Sequence, residues 1–311
     1  MTEEMQMELK TEEELELKVS IKQIIKEKYH AALERYRRQF ILLAIFFIAI
    51  IIIVILTYIP PFNTPDKKYW VEVDVLYDNW AEPSLKHWLG TDEFGRDHFT
   101  RLLHAIRNSF LFGLITGSVC TGVAVLTGVI GPFKGGAVDT TTSFITNIAL
   151  VFPQIPFILL MSAIFEVRSW WITMLFISLF TWPWAARSIR SQVLTLKERN
   201  YIKVSKMSGL KDMRIAFIEV LPGVLPYIFL AFIIFLSSAI LIEAGIAMVG
   251  LGQQQWLTLG LLLNNAVVFG WIYPMRDYWL WLPPGICLII ISLTLFIIQA
   301  SISKTFEQRK L

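Results

Sequence analysis

Residues 40–59 form a run of 20 residues without a single charged side chain. At about 1.5 Å per residue, a helix of that length covers about 30 Å, the thickness of a bilayer's hydrocarbon core. Comparable apolar runs follow at 110–131, 140–165, 171–189, 224–249 and 280–302. No water-soluble fold buries six such segments, so the sequence predicts an all-α integral membrane protein with six transmembrane helices. Composition agrees: 55% of the residues are hydrophobic and 17% are charged, where a soluble domain carries about 25% charged residues. The first run starts too far from Met1, and runs too long, to be a cleaved signal peptide.

The polar connections set the orientation. Residues 1–39 begin acidic and end basic, with Lys26, Lys28, Arg35, Arg37 and Arg38 just before the first span. Leu15, Val19, Ile21, Ile24 and Ile25 give that segment the spacing of an amphipathic surface helix. Between Ala185 and Ile215 there are eight Lys/Arg against Glu198 and Asp212. Short cationic loops resist translocation, so both segments belong inside the cell. Residues 60–109 hold eight acids against six Lys/Arg and fit the outer face. The organisation is therefore a cytoplasmic segment (1–39), a first helix (40–59), an outer loop with an interfacial helix over 99–109 (60–109), a five-helix core (110–303) and a cytoplasmic tail (304–311). Both termini lie in the cytoplasm.

The cationic loop, 190–223, carries its own signals. Thr195-Leu196-Lys197-Glu198 has capping-box spacing and predicts a helix start. Gly209 is expected to end or bend that helix, and Pro222 and Pro226 to punctuate the next span. Asn200, Tyr201, Lys203, Val204, Ser205 and Ser208 give the helix small and apolar faces interleaved with lysines, a surface suited to docking on a protein. Gly209, with Leu221-Pro222 twelve and thirteen residues on, resembles the cytoplasmic "EAA" loop of ABC-importer permeases. Lys203-Val204-Ser205 stand where that loop has Glu-Ala-Ala, and Glu219 replaces its usual apolar residue.

A second segment is more specific. His87-Trp88-Leu89-Gly90-Thr91-Asp92-Glu93-Phe94-Gly95-Arg96-Asp97 closely resembles the HPLGTDxxGRD segment of the C-type permease subunit of dipeptide/oligopeptide/nickel ABC importers, with Trp88 for the usual Pro. Gly90 and Gly95 permit tight turns, and Thr91 stands between Gly90 and Asp92. Asp92, Arg96 and Asp97 can lock one another by charged hydrogen bonds. The chemistry points to a structural clamp on the outer loop in preference to a substrate site. A third segment, Glu243 to Gly252, resembles the EASLSFLGLG run of the same family.

Catalytic patterns are missing from the sequence. It has no G-x-x-x-x-G-K-[ST], no H-E-x-x-H and no G-x-S-x-G. The four histidines all lie outside the apolar runs, and the two cysteines, Cys120 and Cys287, lie within them. No catalytic or metal site is expected, and the cationic balance speaks of membrane orientation and not of nucleic acid. Within the spans, Pro153 marks a kink that either lines a pathway or serves packing. A charge within lipid costs about 2.5–3.5 kcal/mol, so Glu243 must face protein or water, as a helix-packing partner or as a pathway-lining group.

The resemblance implies a type I ABC importer (MetI-like) bundle in a bacterial or archaeal cell membrane. It implies a second permease subunit, two cytoplasmic ATPase subunits holding ATP and Mg, and an extracytoplasmic solute-binding protein. No cofactor would be bound by this chain itself, which would contact these partners and the lipid bilayer. Cargo would be peptides, with oligosaccharides or nickel chelates as alternatives. A secondary transporter or channel is the reading from another class; it would call for paired intramembrane ionisable groups, and Glu243 is the lone candidate.

Overall fold

A computed structural model of the chain describes residues 41, 44–59, 80–165, 169–272 and 277–307. The acidic start, its expected surface helix, Pro60-Pro61 and the last four residues lie outside the described residues. The regular structure of the described residues is helical, apart from one antiparallel bridge between Thr91 and Asp97. The helices are α1 (Ala44–Leu56), α2 (His98–Lys134), α3 (Gly136–Val151), α4 (Gln154–Ile164), α5 (Trp170–Thr181), α6 (Pro183–Lys197), α7 (Asn200–Met207), α8 (Asp212–Ile215), α9 (Leu221–Met248), α10 (Leu259–Val268) and α11 (Tyr278–Glu307).

Among the described residues three helices are long and apolar enough to cross a membrane: His98–Lys134, Asp212–Met248 and Tyr278–Ser303. A fourth crossing is available if α3 and α4, bent by 83° at their junction, count as one. That bend lies at Phe152-Pro153, where Pro153 stands as the N-cap of α4. Proline lacks the N–H that would continue α3, so the chain turns there. α1, α5 and α10 are shorter apolar helices.

α2 is the axis of the bundle. Its first cluster unites Phe46 and Ile50 of α1 with Ile106 and Phe110 of α2, Leu236 and Ile240 of α9, and Leu295 of α11. A second cluster, nearer Lys134, joins Ala124 and Val129 of α2 to Ala186, Ile189 and Val193 of α6, and to Ile202 of α7. Close approach depends on two glycines. A Cβ on Gly113 would fall 2.6 Å from Ile240 Cγ1, and one on Gly128 would fall 2.8 Å from the Ala186 carbonyl. Burial of apolar side chains does not by itself hold helices together in lipid, so backbone contact at such small residues matters more there.

Three expectations are corrected. Residues 99–109 are the first three turns of α2 and not a separate interfacial helix, and Thr100 to Phe110 are all buried. The connection before α10 covers them: Asn108 Nδ2 donates to the Leu257 carbonyl at 2.9 Å, and the Leu259 N–H donates to Ser109 Oγ at 2.9 Å. Thr195 starts no helix. It lies near the end of α6, where its hydroxyl donates to the Ser191 carbonyl at 3.0 Å, and α7 begins at Asn200 with no side-chain cap. Pro222 and Pro226 do not interrupt the span either. α8, a π turn over Ala216–Val220 and α9 run on as one helix of 37 residues, the wide turn lying just before Pro222. π turns inside long helices often accommodate such local mismatch.

Candidate functional site

Two constellations are brought together, one at each end of α2. At the His98 end, residues 80–97 fold on Asp92, which is fully buried. Its Oδ1 accepts from the backbone N–H of Phe94 at 3.0 Å and of Arg96 at 2.9 Å. Its Oδ2 accepts from Arg96 Nε at 2.7 Å and from a nitrogen of the buried Arg101 guanidinium. One carboxylate thus ties its own loop to the second turn of α2. Charged hydrogen bonds in a desolvated place are the strong ones.

Asp97 is the N-cap of α2. Its Oδ2 accepts from the Thr100 N–H at 2.8 Å and the Thr100 hydroxyl at 2.7 Å, while Oδ1 meets His87 Nδ1 at 2.9 Å. Thr91 pairs with Ala81 through both its hydroxyl and its N–H, at 2.9 and 3.0 Å. Gly90 has φ +66°, and a Cβ there would fall 2.3 Å from the Ala81 carbonyl and 3.0 Å from Trp279 Nε1. Gly95, at φ +74°, closes the turn before Arg96. Asp92 and Arg96 thus hold each other, whereas Asp97 turns to His87 and Thr100, so the clamp is not the three-way lock expected of Asp92, Arg96 and Asp97. Glu93 lies beside it: burial, and then the neighbouring Asp92 charge, push its carboxyl above the ordinary carboxylate range.

Glu243 is fully buried in α9, and its Oε1 accepts from the Thr258 hydroxyl at 2.8 Å. Thr258 in turn caps α10 through the Leu261 N–H. Of the two roles open to Glu243, the packing one fits this geometry, because the side chain joins two helices of the same chain. Pro153, by contrast, is exposed at the α3–α4 bend.

At the Lys134 end, α7 stands between α6 and α8. Ile202 is buried and seats it in the second cluster with Ile215, flanked by Leu196, Leu210 and Met213. Gly209, at φ +79°, closes the helix in a Schellman arrangement. Its N–H reaches the Lys206 carbonyl at 3.1 Å, and the Leu210 N–H reaches the Ser205 carbonyl at 3.3 Å. With Ile202 turned inward, the opposite face presents Tyr201, Val204 and Met207, the last 88% exposed. Asn200, Lys203 and Ser208 are also exposed, and Ser205 is half-buried. Lys203–Glu198 at 3.5 Å and Lys206–Asp212 at 3.3 Å are solvent-exposed pairs of little energetic weight. Leu221 is half-buried against the second cluster and Pro222 is exposed.

The end of α2 is tied to α6 nearby. Lys197 Nζ donates to the Pro132 carbonyl at 2.7 Å, and Arg190 grips Asp139 of α3 with two bonds of 3.0 and 2.9 Å. Sequence reasoning passed over Met207, Arg101, Thr258 and the Arg190–Asp139 pair. Met207 lies three residues past Val204, itself three past Tyr201, so helical spacing alone could have found it. The other three needed tertiary contacts.

Residues 121–308 match the family described as binding-protein-dependent transport system inner membrane component. A protein of Brucella suis biovar 1, named provisionally as a peptide permease, is 30% identical over 242 residues, covering 76% of this chain and 78% of its own. The oligopeptide transport system permease protein OppC of Lactococcus lactis subsp. cremoris is 28% identical over 268 residues, 86% of this chain and 89% of its own. OppC of Mycobacterium bovis is 29% identical over 213 residues, 67% of this chain and 71% of its own. In fold, the chain is similar to the inward-facing MetNI methionine ABC transporter, with TM-score 0.51 and 19% identity over 67% of this chain and 97% of that one. The chain belongs to the family of inner membrane components of binding-protein-dependent transport systems, as a multi-pass permease subunit of an ABC importer.

Proposed function

We propose that this permease forms half of a translocation pathway for peptides and takes its energy from an ATPase docked on α7. The observation that carries the reading is the exposed Tyr201–Val204–Met207 face on a helix whose other side is anchored by Ile202. An apolar face flanked by lysines, on a short rigid helix next to a span, suits a groove of a partner protein. The two-permease, two-ATPase composition, ATP and Mg on the ATPase subunits, and an external solute-binding protein complete the assembly. Relatives named as oligopeptide permeases support the choice of cargo. α1, α2, the bent pair α3–α4, α5 with α6, α9 and α11 make the six spans, with α7 and both termini in the cytoplasm.

In mechanism, ATP-driven closure of the partner moves α7. Ile202 and the Schellman turn at Gly209 make α7 move as one piece with the end of α6 and with α8. That is a two-state element biased by a partner, and no chemistry is asked of this chain. The test is uptake of a labelled oligopeptide into vesicles carrying the assembled complex and its binding protein. Uptake that requires ATP inside supports the reading; uptake that persists without any ATPase subunit overturns it.

A further inference from the structure

Between α2, α3 and α6, near the Lys134 end, lies a cavity of about 170 Å³ with Thr127, Thr142, Ser143, Asn147, Arg187 and Arg190 in its wall. We infer that it is a subsite for the terminal carboxylate of the transported solute. Naming that carboxylate as a peptide's C-terminus rests on the peptide reading above.

The charge in the wall is unbalanced. Arg190 is held by both carboxylate oxygens of Asp139, whereas Arg187 makes no ion pair among the described residues. Two guanidiniums therefore face one carboxylate. A guanidinium is the side chain best matched to a carboxylate, through two parallel N–H bonds. α3 adds Thr142, Ser143, Thr146 and Asn147, whose spacing puts them on one helical face. A face of hydroxyls and an amide within a span is turned to protein or water and not to lipid tails.

Size and depth narrow the occupant. A cavity of about 170 Å³ has room for a carboxylate and its first bonding partners. Arg187 lies 17 residues after Trp170, or about 26 Å along a helix, near one margin of the hydrocarbon. A solute passing through meets this group at one end of its path, where a single, solvent-reachable charge can attract it and still release it. Transport needs binding weak enough to leave.

The test uses the whole transporter complex, purified through this chain and held in nanodiscs, with Asn147→Cys in a Cys120→Ala, Cys287→Ala background. The new thiol is labelled with an anionic sulfonate-bearing methanethiosulfonate and with a neutral one. The subsite requires the anionic reagent to gain about tenfold over the neutral one, a gain that Arg187→Gln abolishes and Arg187→Lys keeps in part. It also requires a dipeptide with a free C-terminus to slow labelling, and its C-terminal amide to leave the rate unchanged. An anionic-to-neutral ratio unmoved by Arg187→Gln overturns the inference. So does equal protection by the amide, or protection given only by adding phosphatidylglycerol, which would make the occupant a lipid headgroup. The neutral reagent's rate reports that each variant is folded. Peptide uptake measured alongside separates the two claims: uptake without protection sinks the subsite alone, and absent uptake sinks the peptide reading.

Discussion

Asp92 and Arg101 meet across the boundary between the loop 80–97 and α2, carboxylate to guanidinium, both buried. Arg96 shares the same carboxylate at 2.7 Å. Removing the shared carboxylate would leave the buried Arg101 without its ion-pair partner, while Arg96 keeps Glu93 at 3.6 Å. Breaking a buried pair from one side costs about 3–5 kcal/mol, much more than the pair contributes in net. Asp92→Asn should lower the melting temperature of the detergent-purified chain by many degrees, more than Arg96→Gln does. Equal melting of Asp92→Asn and wild type would remove the clamp from the account.

Gly90 and Gly209 both have positive φ, but only one is hemmed in. A Cβ at Gly209 meets open space, so Gly209→Ala pays only the left-handed backbone term, about 1–2 kcal/mol. At Gly90 the same term is joined by a collision with the Ala81 carbonyl at 2.3 Å. Gly90→Ala should therefore destabilise clearly more than Gly209→Ala in parallel thermal melts. The reverse order would contradict the close approach of Gly90 to the Ala81 carbonyl.

Glu93 makes the His98 end sensitive to pH. Burial and the Asp92 charge raise its folded value above that of the unfolded chain. A raised acid contributes stability that is fully present below its unfolded value and lost as pH rises through the folded one. Glu93→Gln removes that loss, so the variant should gain on wild type as pH climbs from about 4 to about 8. Melting curves across that range give the answer; a constant difference between the two proteins would contradict the shift.

Glu243 holds Thr258 by a single acceptor bond, which a glutamine carbonyl can replace. Glu243→Gln should keep peptide uptake within about twofold, while Glu243→Ala, leaving a buried hydroxyl without its acceptor, should cost about 1–3 kcal/mol of stability. Loss of uptake in the glutamine variant with stability intact would restore Glu243 to a pathway role.

The three long spans among the described residues were legible because hydrophobic runs of bilayer length admit few alternatives. Part of the clamp was legible too, since Asp92 and Arg96 lie four residues apart and bond to each other, whereas Asp97 bonds to His87 and Thr100. Arg101 escaped because nothing local distinguishes it from an interfacial arginine; only the fold of residues 80–97 over α2 gives it a partner. Thr195 misled for a related reason. A capping pattern is a local preference, and the helix arriving from Pro183 overrode it. The continuity of α2 through residues 98–110 was hidden by its polar content, which is buried under Leu257 and Leu259 in place of facing an interface.

The central claim is that α7 receives motion from an ATPase through Tyr201, Val204 and Met207. Val204→Glu puts a charge in the middle of that face without touching Ile202, and Gly209→Glu disturbs the turn that closes it. ATPase co-purifying with the membrane-inserted chain should fall at least about tenfold in Val204→Glu, a loss of about 1.4 kcal/mol or more of binding, with peptide uptake falling alongside it. Full ATPase recovery and full uptake in both variants would contradict the account.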